Sequence, residues 1–153
     1  MSQLNRIKGG LVNQKKSISF TFNGQILTGF EGDTLASALL ANNKKLVGRS
    51  FKYHRPRGIV TAGSEEPNAI MEIGNGAYKE PNTKATITQL YNGLEANSQN
   101  HRGPLGFDLM AITDFLSPLL GAGFYYKTFM WPKAFWEKFY NKNQRQQAEI
   151  KNL

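Results

Sequence analysis

An α+β domain of the β-grasp kind, a mixed sheet crossed by one main helix, is the fold class that this sequence predicts. Three observations predict it. Two alternating apolar segments flank Asn23-Gly24, the strongest short hairpin signal. The stretch Gly32-Asp33-Thr34-Leu35-Ala36-Ser37-Ala38-Leu39-Leu40 then opens a helix. A long loop follows, and past Gly63 the chain returns to the apolar run Ala69–Ile73.

Each element has its own justification. Residues 1–16 are polar and basic, carry Gly9-Gly10, and read as an extended arm. Ser17–Phe22 places Ile18, Phe20 and Phe22 on one face of a half-buried strand, and Gln25–Phe30 returns as its hairpin partner. Asp33 is a suitable N-cap for a helix over Thr34–Ala41, whose core side is Leu35, Ala38 and Leu39. Asn68–Ile73 reads as a third strand. After the turn Gly74-Asn75-Gly76, Ala85–Tyr91 reads as a fourth, and Leu94–Ala96 as a fifth. The β-grasp body is thus expected over residues 17–97, and a loop and helical appendage over 98–153. In the appendage a short helix is predicted at Asp108–Phe115, broken by Pro118, Gly121 and Gly123. Phe124–Tyr140 then packs nine aromatics into 17 residues, including Trp131 and Trp136. Those are too many for a small domain to bury alone, so this segment is expected to dock on a partner domain.

A short helix followed by a long loop and a strand is also how plant-type ferredoxin domains hold an iron–sulfur cluster, with thiolates at C-x4-C-x2-C and a fourth further on. Aligning Gly63 with the loop glycine puts Val60, Glu65 and Asn68 at that spacing and Thr86 near the fourth position. None is cysteine, and the chain has no cysteine at all. Disulfides, Cys-ligated zinc and Cys-ligated clusters are therefore excluded for this chain, and electron transfer through such a cluster with them.

The 153 residues suffice for one domain or a domain with an appendage, and 40% are hydrophobic, enough for a modest core. No run of 18 apolar residues suggests a membrane span, and the first residues lack the apolar region of a secretory signal, so a cytoplasmic protein is expected. The net charge of +8 is uneven. Residues 1–60 hold ten basic and two acidic side chains, whereas 61–153 hold nine of each. A basic block of this kind suits nucleic acid, an anionic cofactor or an acidic protein face.

No constellation for catalysis emerges. His54 and His101 sit beside arginines, which disfavours a bound cation. Glu65-Glu66 is an adjacent acidic pair on a loop and is expected to face solvent. Ser37 and Ser64 have no histidine placed to activate them. No catalytic or metal residue is therefore predicted. The candidate binding residues are Arg49, Arg55 and Arg57 in the run Arg49-Ser50-Phe51-Lys52-Tyr53-His54-Arg55-Pro56-Arg57-Gly58. There guanidinium forks alternate with rings that can stack, while Pro56 and Gly58 define the loop's path. The competing reading is that these arginines tie the long loop to the sheet and to a neighbouring domain.

The helix-opening stretch 32–41, residues 46–58, Ala62-Gly63-Ser64-Glu65-Glu66-Pro67-Asn68-Ala69 and Phe124-Tyr125-Tyr126-Lys127-Thr128-Phe129-Met130-Trp131-Pro132 together resemble the N-terminal part of the alpha subunits of heterotetrameric sarcosine oxidases, from about Ser17 to Tyr140. The resemblance implies a complex of alpha, beta, gamma and delta subunits that contains FAD, FMN and NAD. That complex demethylates sarcosine to glycine, formaldehyde and hydrogen peroxide, and with tetrahydrofolate yields 5,10-methylenetetrahydrofolate. It further implies that amine oxidation occurs on the beta subunit, and that the remaining alpha-subunit domains bind dinucleotide and folate. The present sequence has no Gly-x-Gly-x-x-Gly after a strand, so it is expected to be a truncated or split subunit, or a small protein reusing the module. The expectation is a non-catalytic module that binds no cofactor alone. Its partners would be the other subunits and alpha-subunit domains, with Arg49, Arg55 and Arg57 holding an interface near a dinucleotide pyrophosphate. A stand-alone basic β-grasp module for RNA or single-stranded DNA is the alternative.

Overall fold

The computed structural model describes residues 3–7, 9, 10 and 12–115. The chain divides into two compact units, Met1–Asp114 and Phe115–Leu153. The aromatic segment Phe124–Tyr140, with Trp131 and Trp136, lies outside the described residues, and so does the expected appendage beyond residue 115.

Strands β1 (Asn13–Phe22) and β2 (Gln25–Glu31) form the predicted hairpin. Asn23 and Gly24 both take positive φ, 49° and 77°, the left-handed pair that a tight hairpin turn requires. Helix α1 (Leu35–Ala41) follows, then the two-residue strands β3 (Gly48–Arg49) and β4 (Pro56–Arg57), which pair with each other. Strands β5 (Ile70–Ile73), β6 (Glu80–Lys84) and β7 (Leu94–Ser98) complete a five-stranded sheet in the order β2-β1-β7-β5-β6. The central pair β1–β7 is parallel and the other pairs are antiparallel, so the sheet is mixed, and with one main helix across it the domain is a β-grasp.

Burial explains why these residues fold this way. Phe20, Phe22 and Leu27 from the hairpin meet Leu35, Ala38 and Leu39 of α1, with Met71 and Leu94 from the central strands. Full burial of each large side chain contributes about 1.5–3 kcal/mol, and this layer supplies the main driving force for the fold.

Two local expectations are corrected. Ala85–Tyr91 is not a strand: the strand comes earlier, at Glu80–Lys84, and Ile87 is exposed. The carbonyls of Ala85 and Thr88 instead accept the amides of Ala36 and Leu35 at 3.0 and 2.9 Å, so the segment is spent on the otherwise unpartnered first turn of α1. Pro81 is tolerated in β6 because that strand lies at the sheet edge. The N-cap is Thr34, whose side chain accepts from the Ser37 amide at 3.2 Å, and not Asp33. Asp33 is buried and receives both terminal nitrogens of the Arg6 guanidinium, at 3.1 and 2.6 Å, with the Ser37 hydroxyl at 2.8 Å and the Phe30 amide at 2.9 Å. Arg6, stacked 5.0 Å from the Phe30 ring, thereby clips the N-terminal arm onto the core.

After β7 the chain crosses back over the basic loop. Asp108 caps a 3-10 turn at Leu109–Ala111, accepting from the Met110 amide, and α2 (Ile112–Phe115) continues from it, as predicted for this stretch.

Candidate functional site

The basic run forms a short hairpin between β3 and β4, with Ser50 to His54 at its tip. Its three candidate arginines have three different fates. Arg49 is spent on backbone carbonyls: Nε and Nη2 donate to Leu105 O at 3.1 and 2.9 Å, Nη2 to Gly106 O at 3.2 Å, and Nη1 to His54 O at 3.0 Å. Those bonds bind the loop to the returning 105–106 segment. Arg55 is half exposed, pairs with Asp114 at 2.7 Å and lies 4.8 Å from the Tyr53 ring centre. Arg57 is exposed, and among the described residues no hydrogen bond or ion pair engages its guanidinium.

The loop's rigidity has identifiable causes. His54 adopts a left-handed φ of 54°, uncommon for a residue with a side chain. It is held there by Arg49 at its carbonyl, by its own amide on Ser50 O at 3.0 Å, and by Asp108, whose Oδ2 lies 2.7 Å from Nδ1. Burial alone would raise the Asp108 pKa, but donors from the Arg102 and Met110 amides and from His54 overcome that and hold it below the usual carboxylate range. An ionised carboxylate only accepts, so the imidazole proton sits on Nδ1. Gly58 ends the hairpin against the Lys45 carbonyl, 2.8 Å from where a Cβ would stand, so a side chain there would displace backbone. Sequence reasoning placed no carboxylate near His54. The signal for Asp108 was its place as a cap before Leu109–Ala111.

Arg49 and Arg57 meet again at the wall of a cleft of about 250 Å³, which Phe51, Asn68, Asn82 and Asn100 also line. Arg55 does not line it. A larger cavity, about 320 Å³, is lined by Tyr78, Tyr91, Glu80 and Glu95 without a cation, and gathers none of the predicted residues. The first cleft offers an exposed guanidinium and three amide side chains, a set that suits an anionic, hydrogen-bonding group. Of its lining residues Phe51 is 62% exposed, and Phe107 and Leu109 on the segment after β7 are exposed as well. Among the described residues no group of three or more His, Asp or Glu could hold a metal, and no helix is long and apolar enough to cross a membrane.

The loop at the cluster-ligand spacing has a different interior from the one expected. Val60 and Glu65 are exposed, Asn68 is half buried, and Thr86 is buried with its hydroxyl donating to Gly63 O at 2.7 Å. Glu66, expected to face solvent, is fully buried at 0% exposure. Its Oε2 accepts from the amides of Val60 and Thr61 at 2.9 and 2.6 Å and from the Thr61 hydroxyl at 3.1 Å. Its Oε1 accepts from the amides of Asn68 and Ala69 at 2.9 and 3.2 Å. Desolvation pushes this carboxyl's pKa up, yet the Thr61, Asn68 and Val60 donors outweigh it and bring it down to about 2. Nothing but the position of an acid inside a thiol-free cluster loop could have signalled this in the sequence.

Comparison with known proteins matches residues 15–101 to the family model described as a 2Fe-2S iron-sulfur cluster binding domain. The chain is 60% identical over 150 residues to the sarcosine oxidase subunit alpha of Rhizobium meliloti (strain 1021), covering 98% of this chain and 15% of that protein. It is 39% identical over 100 residues to the sarcosine oxidase subunit alpha of Corynebacterium sp. (strain U-96), covering 63% of this chain and 10% of that one. The chain thus spans about 15% of the length of its Rhizobium relative. Among solved structures, L-proline dehydrogenase from P. horikoshii is similar at 28% identity and a TM-score of 0.46, over 57% of this chain and 16% of that one.

The residues present do not fit the cluster that the family description names. A 2Fe–2S centre needs four soft ligands, and Val60, Glu65, Asn68 and Thr86 supply no thiolate or imidazole. The amides that line the loop are already engaged by Glu66. Iron analysis of the purified protein is accordingly expected to find no stoichiometric iron in this domain. A stoichiometric iron–sulfur chromophore assigned to residues 15–101 would overturn that.

Proposed function

This chain belongs to the 2Fe-2S iron-sulfur cluster binding domain family, and from that premise we propose that it is a cluster-free, non-catalytic module of a sarcosine oxidase-like alpha subunit. It assembles with the flavin- and NAD-bearing parts of a complex that oxidatively demethylates sarcosine to glycine. The observation that carries this reading is the likeness to a sarcosine oxidase subunit alpha along almost the whole chain. In that complex FAD, FMN and NAD carry the redox chemistry, tetrahydrofolate takes the one-carbon unit, and the beta, gamma and delta subunits and other alpha-subunit domains are the partners.

Within this reading the three arginines divide the work. Arg49 shapes the loop from inside, Arg55 braces it against Asp114, and Arg57 presents a charge outward at the cleft with Asn68, Asn82 and Asn100. Arg57 is the residue that meets a pyrophosphate or an acidic face of the neighbouring domain. Phe51, Phe107 and Leu109 supply the apolar part of the same contact.

The test compares two substitutions in the full-length protein. Arg57→Gln is expected to leave the melting temperature nearly unchanged, since an exposed charge contributes at most about 0.5 kcal/mol to stability, but to weaken co-purification with the flavin-bearing subunits. Arg49→Met strands the carbonyls of His54, Leu105 and Gly106, and is expected to cost about 1–3 kcal/mol. It should weaken assembly only through that loss. Unchanged assembly with Arg57→Gln rejects the role given to Arg57. If the same variant instead loses oligonucleotide affinity with a shallower salt slope, the nucleic-acid module replaces this reading.

A further inference from the structure

In a domain of this family the loop after the helix is organised by a cluster ligated by thiolates, an anionic group whose sulfurs accept hydrogen bonds from surrounding donors. Here both ends of the same loop turn their amides inward onto one side chain. Val60 and Thr61 donate to one oxygen of Glu66, and Asn68 and Ala69 donate to the other. Two of those four residues, Val60 and Asn68, stand at the spacing where thiolates would be expected. The position of the fourth ligand is treated likewise: Thr86 ties the loop by a hydrogen bond to Gly63 O rather than by a metal bond.

We propose that the Glu66 carboxylate is a built-in anion that takes over the structural task of the cluster, closing residues 60–69 around itself without metal. Converging backbone amides form a concave anion site, and charge-assisted bonds to them are the strong kind. The closure has two consequences for the rest of the domain. Ala69, held by Oε1, immediately precedes β5, and its carbonyl accepts the Ala85 amide at 2.9 Å. Asn68, also held by Oε1, lines the cleft beside Arg57. The carboxylate therefore fixes both where the central sheet resumes and one wall of the basic cleft, and the loop is indifferent to iron supply and redox state.

Glu66→Ala and Glu66→Gln in the full-length protein, read by hydrogen exchange on peptides covering residues 59–69, test this. Glu66→Ala empties the amide site, and exchange in those peptides is expected to rise by about tenfold or more, while β1 and β2 keep their protection. Formate or acetate added to Glu66→Ala is expected to restore protection and raise the melting temperature, whereas chloride at equal ionic strength does neither. Glu66→Gln keeps the shape but turns a donor toward donors, so it is expected to loosen the loop as well. Should Glu66→Ala fail to fold, Glu66→Gln decides. A Gln variant that exchanges like the parent, or an Ala variant whose loosened loop no small carboxylate restores, overturns the proposal. The outcome is independent of whether the protein assembles with flavoprotein subunits, since the readout lies within this loop.

Discussion

Asp33→Ala is expected to lower stability by about 3–5 kcal/mol, among the largest effects of any single substitution in the described residues. The carboxylate is fully buried, and among the described residues it is the acid that pairs with the Arg6 guanidinium, whose side chain is only 14% exposed. Its removal leaves a partly buried cation without that counter-charge, takes the Asp33 acceptor from the Phe30 amide, and leaves the Ser37 hydroxyl with the Thr34 carbonyl alone of its two acceptors. Denaturant unfolding of the parent and the variant measures the difference. Arg6→Ala should cost a similar amount, because it leaves Asp33 buried with only neutral donors, and the two changes together should cost less than their sum. Strict additivity would mean that the pair is not a unit and that the arm is held by other contacts.

The second large effect is on acid stability. The Glu66 carboxyl has a pKa of about 2 in the fold against an ordinary value of 4.5, so the folded state binds this proton less readily than the unfolded chain does. Its contribution to stability is complete above pH 4.5 and drains away as the pH falls toward 2. Asp108, also held below its ordinary value, adds a loss of the same sign. Stability followed by denaturant midpoint is expected to fall steeply across that window. The slope should be visibly shallower in Glu66→Gln, which has no proton to take up at that position. A parent and a Gln variant with parallel profiles would show that Glu66 does not titrate as its hydrogen bonds require.

Much of this architecture was readable in advance because it rests on local signals. The hairpin needs only a left-handed pair at Asn23-Gly24 between segments of period two. The core face of α1 follows from three apolar side chains at helical spacing, and the absence of thiols leaves no cysteine to ligate a cluster. The misreadings have a common cause in backbone groups whose partners lie far away in sequence. Ala85–Tyr91 looks like a strand by composition, but its Ala85 and Thr88 carbonyls are claimed by the first turn of α1. Asp33 looks like a cap, yet its oxygens are taken by Arg6, 27 residues away. Glu66 looks like half of a solvated acidic pair.

What the sequence by itself determined was the β-grasp class, the apolar layer and the lack of any thiolate ligand. Only the tertiary structure decided that Arg49 is spent on the carbonyls of His54, Leu105 and Gly106 while Arg57 is exposed and, among the described residues, has no such partner. It also decided that a carboxylate fills the amide-lined loop. Periodicity reports which faces are apolar, because burial of carbon is a property of the pattern. A polar group's fate depends on whichever donors and acceptors the fold brings to it, and that convergence exists only once the chain has closed.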